Sequence, residues 1–275
     1  MSRTMRTVIC HFFNEAYLLP WWLKHHLALF DHGIMIDHGS TDASSSIIRE
    51  MAPHWRVVHS RLTQFDAYLT DFEVMEYERQ LPGWKMVLNV TEFVMSTVSL
   101  DIIENELTRM GRMGCAASGM FMVDHQPEIL PTISMSLAVQ KHWGLDDNAE
   151  LQPQLRTALG LPPIPYRNRF FHRAEVGMYH PGRHKSFHPD STFRLMDLMV
   201  FYFSFAPWNE EVIRRKTQIA AKLNPDDLQR GWGAQHLKKA EDLQRDYERL
   251  RTNATDLNLH QYASLAIARA GAIYT

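Results

Sequence analysis

Apolar runs of strand length alternate with segments of helical period along the first half of the chain. Thr7 to Phe13 is apolar and breaks off at Asn14-Glu15. After it, Leu19, Trp22, Leu23, Leu27 and Phe30 recur at helical spacing, which predicts a helix starting near Glu15 with one apolar stripe. Pro20 falls in the first turn, where it is tolerated. Gly33 resets the backbone before a second apolar run, Ile34 to Asp37. Ser40-Thr41-Asp42 can cap a helix over Ala43 to Met51; Pro53 stops it, and Trp55 to His59 makes a third short strand. Phe65 to Gln80 reads as a helix ended by Pro82-Gly83. Trp84 to Val90 is a fourth strand, Ser99 to Met110 a helix, and Cys115 to Val123 a strand of small and apolar residues.

Strands alternating with helices predict an α/β fold: a mostly parallel sheet with helices on both faces. In open sheets of this kind ligands sit at the carboxyl ends of the strands. Asn14, Glu15 and Asp37 follow the first two strands, so the pattern places them in one crevice. The character changes near Gln126. Proline recurs at 127, 131, 153, 162, 163, 165, 181 and 189, which predicts a loop-rich stretch to Ser191. Loops of that length are often binding loops. Phe193 to Phe205 is an aromatic strand, Pro207-Trp208 introduces a helix through Lys222, and Asp226 to Leu250 is charged and helical.

Composition narrows the classes. With 45% hydrophobic and 22% charged residues, a chain of 275 can bury a sizeable core and is not disordered. A formal charge of −2 excludes a general nucleic-acid binder, whose affinity rests on many phosphate contacts. The two cysteines, Cys10 and Cys115, lie in apolar strands and read as core residues in a reducing compartment. No apolar signal core and no run of transmembrane length is present, so a cytoplasmic location is expected.

Three motifs then carry a resemblance. Phe13-Asn14-Glu15-Ala16, Trp22-Leu23-Lys24-His25-His26 and Asp37-His38-Gly39-Ser40-Thr41-Asp42 resemble the start of a family 2-like glycosyltransferase. Trp84 to Phe93 resembles the strand bearing that family's D-x-D-E-F motif. The resemblance covers Thr7 to Phe93 and is loose beyond. It implies a GT-A-like, Rossmann-related fold that transfers a sugar from a nucleoside-diphosphate sugar to a hydroxyl of a glycan or other acceptor. A bacterial surface-polysaccharide setting is typical of the family. Residues 1–205 would form the transferase domain, with a nucleotide-binding half at 1–125 and an acceptor half at 126–205, followed by a helical extension at 206–275. The resemblance assigns Phe12, Asn14 and Glu15 to the base and ribose, and Asp37 to a hydrogen bond from either. These residue types suit that task, since carboxylates accept from ribose hydroxyls or an imide and an aromatic face stacks on a base.

The chain departs from the family at the metal site. The family's two aspartates hold Mg²⁺ or Mn²⁺; here Asn89 and Thr91 stand in their places, and of the motif's acids Glu92 remains. Hard cations need oxygen ligands, usually carboxylates. Three readings stay open: Glu92 and Asn89 hold a weakly bound metal, side-chain cations replace the metal, or the fold binds a nucleotide or glycan without catalysis. Arg183, His184 and Lys185, within His180-Pro-Gly-Arg183-His184-Lys185-Ser-Phe-His188, are candidates for the diphosphate. Four histidines there and at His172 also admit a zinc-dependent hydrolase, although Pro181, Gly182 and Pro189 oppose a helix that would align them. For the base that deprotonates the acceptor, Asp124 is the candidate, with Glu128 and Asp147 behind it. Trp208 offers a face for an acceptor sugar; His25 and His26 read as helix packing.

Overall fold

All seven residues of the first strand, β1 (Arg6–Phe12), are buried in the computed structural model, which describes residues 4–146 and 167–275. Both faces of this strand are covered, so its side chains alternate between two cores. Val8, Cys10 and Phe12 enter the main core; Ile9 enters a second one with Ile34, Ile36 and Val87. β2 (His32–Asp37), β3 (Arg56–His59) and β4 (Trp84–Leu88) complete a parallel half-sheet in the order β3-β2-β1-β4. The crossovers are α1 (Leu19–Leu27), α2 (Ser44–Met51) and α3 (Ala67–Glu78). Trp22 and Leu23 of α1 and Ile48 of α2 pack on the main-core face, and Val74 of α3 packs on the other. The predicted α/β class with helices on both faces of the sheet is what the chain forms.

The second half adds antiparallel strands. After β5 (Glu92–Ser96) and α4 (Leu100–Arg109) come β6 (Gly114–Val123), α5 (Leu137–Gln140), β7 (Trp143–Asp146), β8 (Arg169–His172) and β9 (Arg194–Phe205). β8 lies antiparallel between β4 and β6; β9 runs parallel to β6 and antiparallel to β5. Neither β5 nor β8 was evident in the pattern. Each is four or five residues long and bounded by polar residues, and it is a strand because neighbouring edges pair with it.

The C-terminal stretch comprises α6 (Glu210–Thr217), a 3-10 turn (Gln218–Lys222), α7 (Pro225–Gln229), a second 3-10 turn (Ala234–Leu237), α8 (Ala240–Asn253), β10 (Thr255–Asp256) and α9 (Ala263–Ala272). The expected helix from Asp226 to Leu250 is interrupted at Gly231 and Gly233, whose φ of 78° and 76° no continuing helix adopts. This stretch shares the cores of the sheet. Leu243, Tyr247 and Leu250 of α8 pack with Phe121, Val123 and Phe205, while Ala266, Ile267 and Ala270 of α9 join the main core. β10 pairs with β7 at one sheet edge. No helix among the described residues is long and apolar enough to cross a membrane.

Candidate functional site

From β1 the chain crosses to β2 on one side, whereas from β3 it returns through α3 to β4 on the other. The order of the parallel strands therefore reverses between β1 and β4, and a crevice outside their carboxyl ends follows from that topology. Phe13-Asn14-Glu15 leaves β1 there, and Asn89-Val90-Thr91 leaves β4.

Asn14 has φ 50°, a left-handed conformation that asparagine accepts more readily than most residues. Its Oδ1 accepts from the backbone N–H groups of Thr41 (2.7 Å) and Asp42 (3.2 Å), and its own N–H donates to Ser40 Oγ (3.0 Å). The N–H of Glu15 donates to Ser44 Oγ (2.8 Å) and that of Ala16 to Asp42 Oδ2 (3.1 Å). Two of the motifs that carry the resemblance, 13–16 and 37–42, thus hold each other. Asp37 takes part in the same loop, accepting from the Ser40 N–H and from Ser45 Oγ, both at 2.7 Å. Burial acts to raise its pKa, but those donors outweigh it and hold the carboxyl below its ordinary value.

The aromatic residue at the strand end is Phe13, not Phe12. Phe12 shares the face of Val8 and Cys10 and lies in the main core, which corrects its assignment to the base. Lys222 Nζ sits 4.0 Å above the Phe13 ring and donates to the His38 carbonyl at 2.7 Å. Gln218 donates to the backbone carbonyl of Asn14 (3.2 Å) and accepts from its side chain (3.2 Å). The C-terminal 3-10 turn therefore closes over the strand ends. Beside it His38 stacks on Phe65 with centroids 4.0 Å apart, and burial pushes the His38 pKa down to about 4.

Glu15 is buried and meets Arg215 of α6, whose Nη1 lies 3.3 Å from Oε1. Its Oε2 has no hydrogen-bond partner among the described residues. Burial raises the Glu15 pKa despite Arg215.

At the β4 end, Glu92 faces a cation of the protein itself. Arg169 Nε donates to Oε2 at 2.7 Å and Nη2 to Oε1 at 2.5 Å, and the Asn89 N–H adds a third bond to Oε2 at 2.7 Å. Both side chains of this pair are 1% exposed. Asn89 Oδ1 accepts from Arg183 Nη2 at 3.0 Å. Asn89 and Glu92 thus do not fit a divalent ion: the carboxylate is already engaged by a guanidinium fork, and the neighbouring amide oxygen by another arginine. Among the described residues, no three His, Cys, Asp or Glu side chains gather as a metal site, the histidines of 180–188 included. His180 stacks on Phe187 at 3.8 Å, and His188 caps a short 3-10 turn.

The expected diphosphate trio separates. Arg183 is buried against Asp71, with the Gly182 N–H on the same carboxylate at 2.9 Å; Lys185 is exposed. His184 is hydrogen-bonded to Arg167, and burial, then Arg169, Arg167 and Arg183, drive its pKa far down, so it is neutral near pH 7. Asp124 is 1% exposed and fully engaged. Its Oδ1 accepts from Lys141 Nζ (2.8 Å) and the Gln126 N–H (3.1 Å), and its Oδ2 from the Trp208 N–H (2.9 Å). Such a carboxylate is a counter-ion that closes a loop, with both oxygens engaged inside the fold. Glu128 is exposed on the loop after β6, and Asp147 lies outside the described residues. Trp208 is sandwiched between Phe205 and Tyr247, with no face left for a sugar. His25 and His26 do pack the helix: His25 Nε2 donates to the Val94 carbonyl at 2.6 Å, and His26 Nε2 accepts from the Val94 N–H at 3.2 Å.

Asp71, Arg167, Arg169, Arg215 and Lys216 were not singled out in the sequence. Arg215 and Lys216 belong to the basic triplet Arg214-Arg215-Lys216, and Arg167 and Arg169 fall in the proline-rich stretch. The only signal was local cationic density.

No protein-family model matches the chain, and no curated protein matches it. Among solved structures it is similar to a glucosyl-3-phosphoglycerate synthase from Mycobacterium tuberculosis, solved with Mn²⁺, UDP-glucose and phosphoglyceric acid. The identity is 13% and the TM-score 0.37, over 66% of this chain and 61% of that one. It is also similar to S. aureus TarS, at 12% identity and TM-score 0.30, over 44% of this chain and 36% of that one. The chain thus spans less than two thirds of the length of either.

Proposed function

We propose that the protein is a GT-A-like glycosyltransferase that moves a sugar from a nucleoside diphosphate to an acceptor hydroxyl. The observation that carries this reading is the switch point: Asn14, Glu15 and Asp37 converge with Asn89 and buried arginines outside the carboxyl ends of β1, β2 and β4. On this reading Glu15 and the Asp37 loop hold the nucleoside, Phe13 lines it, and the arginines oppose the leaving diphosphate. The loops of 126–191, in the acceptor half, would then select the acceptor. The donor and acceptor are read out together by incubating the full chain with UDP-, GDP- and CMP-sugars and following both thermal stabilisation and nucleotide release. Stabilisation by one nucleotide with release accelerated by an acceptor supports the transferase. No stabilisation by any of them refutes it.

One observation favours a second reading, a nucleotide- or glycan-binding module without catalysis. Asp124, the first candidate for the base, and Glu92, the remaining acid of the motif, have every oxygen bonded within the fold. Tight nucleotide binding with no release of sugar in the same experiment would select that reading.

A further inference from the structure

Ser204 and Tyr202 lie two residues apart on β9 and so share one face, roughly 7 Å apart along the strand. Lys216 Nζ donates to Ser204 Oγ at 2.5 Å and lies 4.0 Å from the Phe205 ring centroid; the Arg167 guanidinium lies 4.6 Å over the Tyr202 ring. Tyr202 is the register partner of Glu92 across β5, whose bound Arg169 extends the same row. Arg215, adjacent to Lys216, reaches Glu15 at the strand end. Four cations thus line one wall leading into the crevice, with Arg183 beside it on Asn89.

Their counter-ions are too few. Glu92 answers Arg169, Asp71 answers Arg183 and Glu15 answers Arg215. Arg167 and Lys216 have no carboxylate at ion-pair distance among the described residues; their contacts are hydroxyl, imidazole and aromatic faces. The Nε groups of Arg167 and Arg215 are buried with no acceptor among the described residues. Buried donors are normally satisfied, and a gathering of like charges in a low dielectric favours an anion strongly. This surplus stands out in a chain whose formal charge is −2. Burial, then Arg215 and Arg167, lower the Lys216 pKa well below its ordinary value against the opposing pull of Asp246, and burial with Lys216, Arg215 and Arg167 lowers His236 to about 4.

We propose that Arg167, Arg215 and Lys216 bind a diphosphate group and neutralise it with side-chain cations in place of a divalent metal. The proposal rests on the transferase reading for its natural ligand, a nucleoside diphosphate. The anion site itself is tested with inorganic pyrophosphate. Two guanidinium forks and an ammonium match the several oxygens and charges of that group. An anion there favours the protonated forms of Lys216 and His236, so binding takes up protons.

The test is calorimetric titration of the full chain with pyrophosphate and with UDP in EDTA, repeated in buffers of different ionisation enthalpy. Binding in EDTA with net proton uptake is expected. Lys216→Gln and Arg167→Gln are each expected to weaken it at least 10-fold, and Arg109→Gln, at an exposed position at the end of α4, to leave it unchanged. Lys216→Gln is also expected to hold or raise the melting temperature without ligand, a result that a merely structural lysine would not give. Pyrophosphate that binds only with Mn²⁺, or equally to wild type and both wall variants, overturns the proposal. Metal-independent pyrophosphate binding without sugar transfer leaves the wall standing and removes the transferase. Transfer that needs Mn²⁺ and ignores Lys216 does the reverse.

Discussion

Removing the Glu92 carboxylate is the sharpest perturbation of this site, because the structure and the family motif assign that residue opposite jobs. In the structure Glu92→Ala leaves the Arg169 guanidinium buried, 1% exposed, with two of its donors unpaired. Breaking a buried ion pair from one side costs about 3–5 kcal/mol, because the remaining charge is desolvated without compensation. At about 2–4 °C per kcal/mol for a chain of this size, that is a loss of roughly 6–20 °C in melting temperature. Replacing both residues by methionine removes the stranded charge and should recover most of the loss, to within about 2 kcal/mol of wild type. The assay is urea denaturation of wild type, Glu92→Ala and the Glu92→Met, Arg169→Met double variant, with Mn²⁺ titrated into each folded protein. A metal ligand behaves oppositely: its carboxylate repels its neighbours until the ion binds, so its loss costs little stability and abolishes Mn²⁺ binding. If Glu92→Ala unfolds within about 1 kcal/mol of wild type and loses a Mn²⁺ site that wild type has, the ion-pair account of Glu92 is refuted.

Stability should also fall in mild acid. Burial lowers the His25 pKa to about 4, below the unfolded value of about 6.5, so the unfolded state binds the proton first. The contribution is fully present above pH 6.5, erodes as pH falls and levels off below about 4, amounting to about 3 kcal/mol; urea melts against pH should show this slope, and His25→Gln should flatten it. Gly33→Ala should cost about 1–3 kcal/mol, since a Cβ there would meet Trp55 Cε3 at 2.2 Å; an unchanged melting temperature would mean that Trp55 repacks freely. Asn14→Ala should destabilise by about 1–3 kcal/mol, losing two backbone bonds and keeping the positive φ, whereas Asn14→Gly should recover the conformational part. Equal losses for the two variants would show that the hydrogen bonds alone matter.

The parallel half of the fold was legible because its signals are local. The continuous apolar run of β1, buried on both faces, the helical stripe through Trp22 and Leu23, Gly33 before β2 and the Ser-Thr-Asp cap are each written within a few residues, and the sheet they imply follows from covering both faces of an apolar strand. The same holds for Cys10, Cys115, His25 and His26, whose neighbours in sequence are core residues. What the sequence could not settle was which charge meets which. Glu92 reads as a surviving metal ligand until Arg169, 77 residues away, is brought against it by β8. Asp124 reads as a base until Lys141 and the Trp208 N–H consume its oxygens. Arg215 and Lys216 carry no local signal of a role, and acquire one only when α6 brings them to Glu15 and to Ser204 of β9. Electrostatic partners depend on distances between segments far apart in the chain, and a carboxylate's chemistry changes altogether with the cation that reaches it first. The parallel strands, their burial and a crevice at the ends of β1 and β2 were determined by local pattern; the strand order and the ion pairs that decide what the crevice can bind were determined only when the tertiary fold closed.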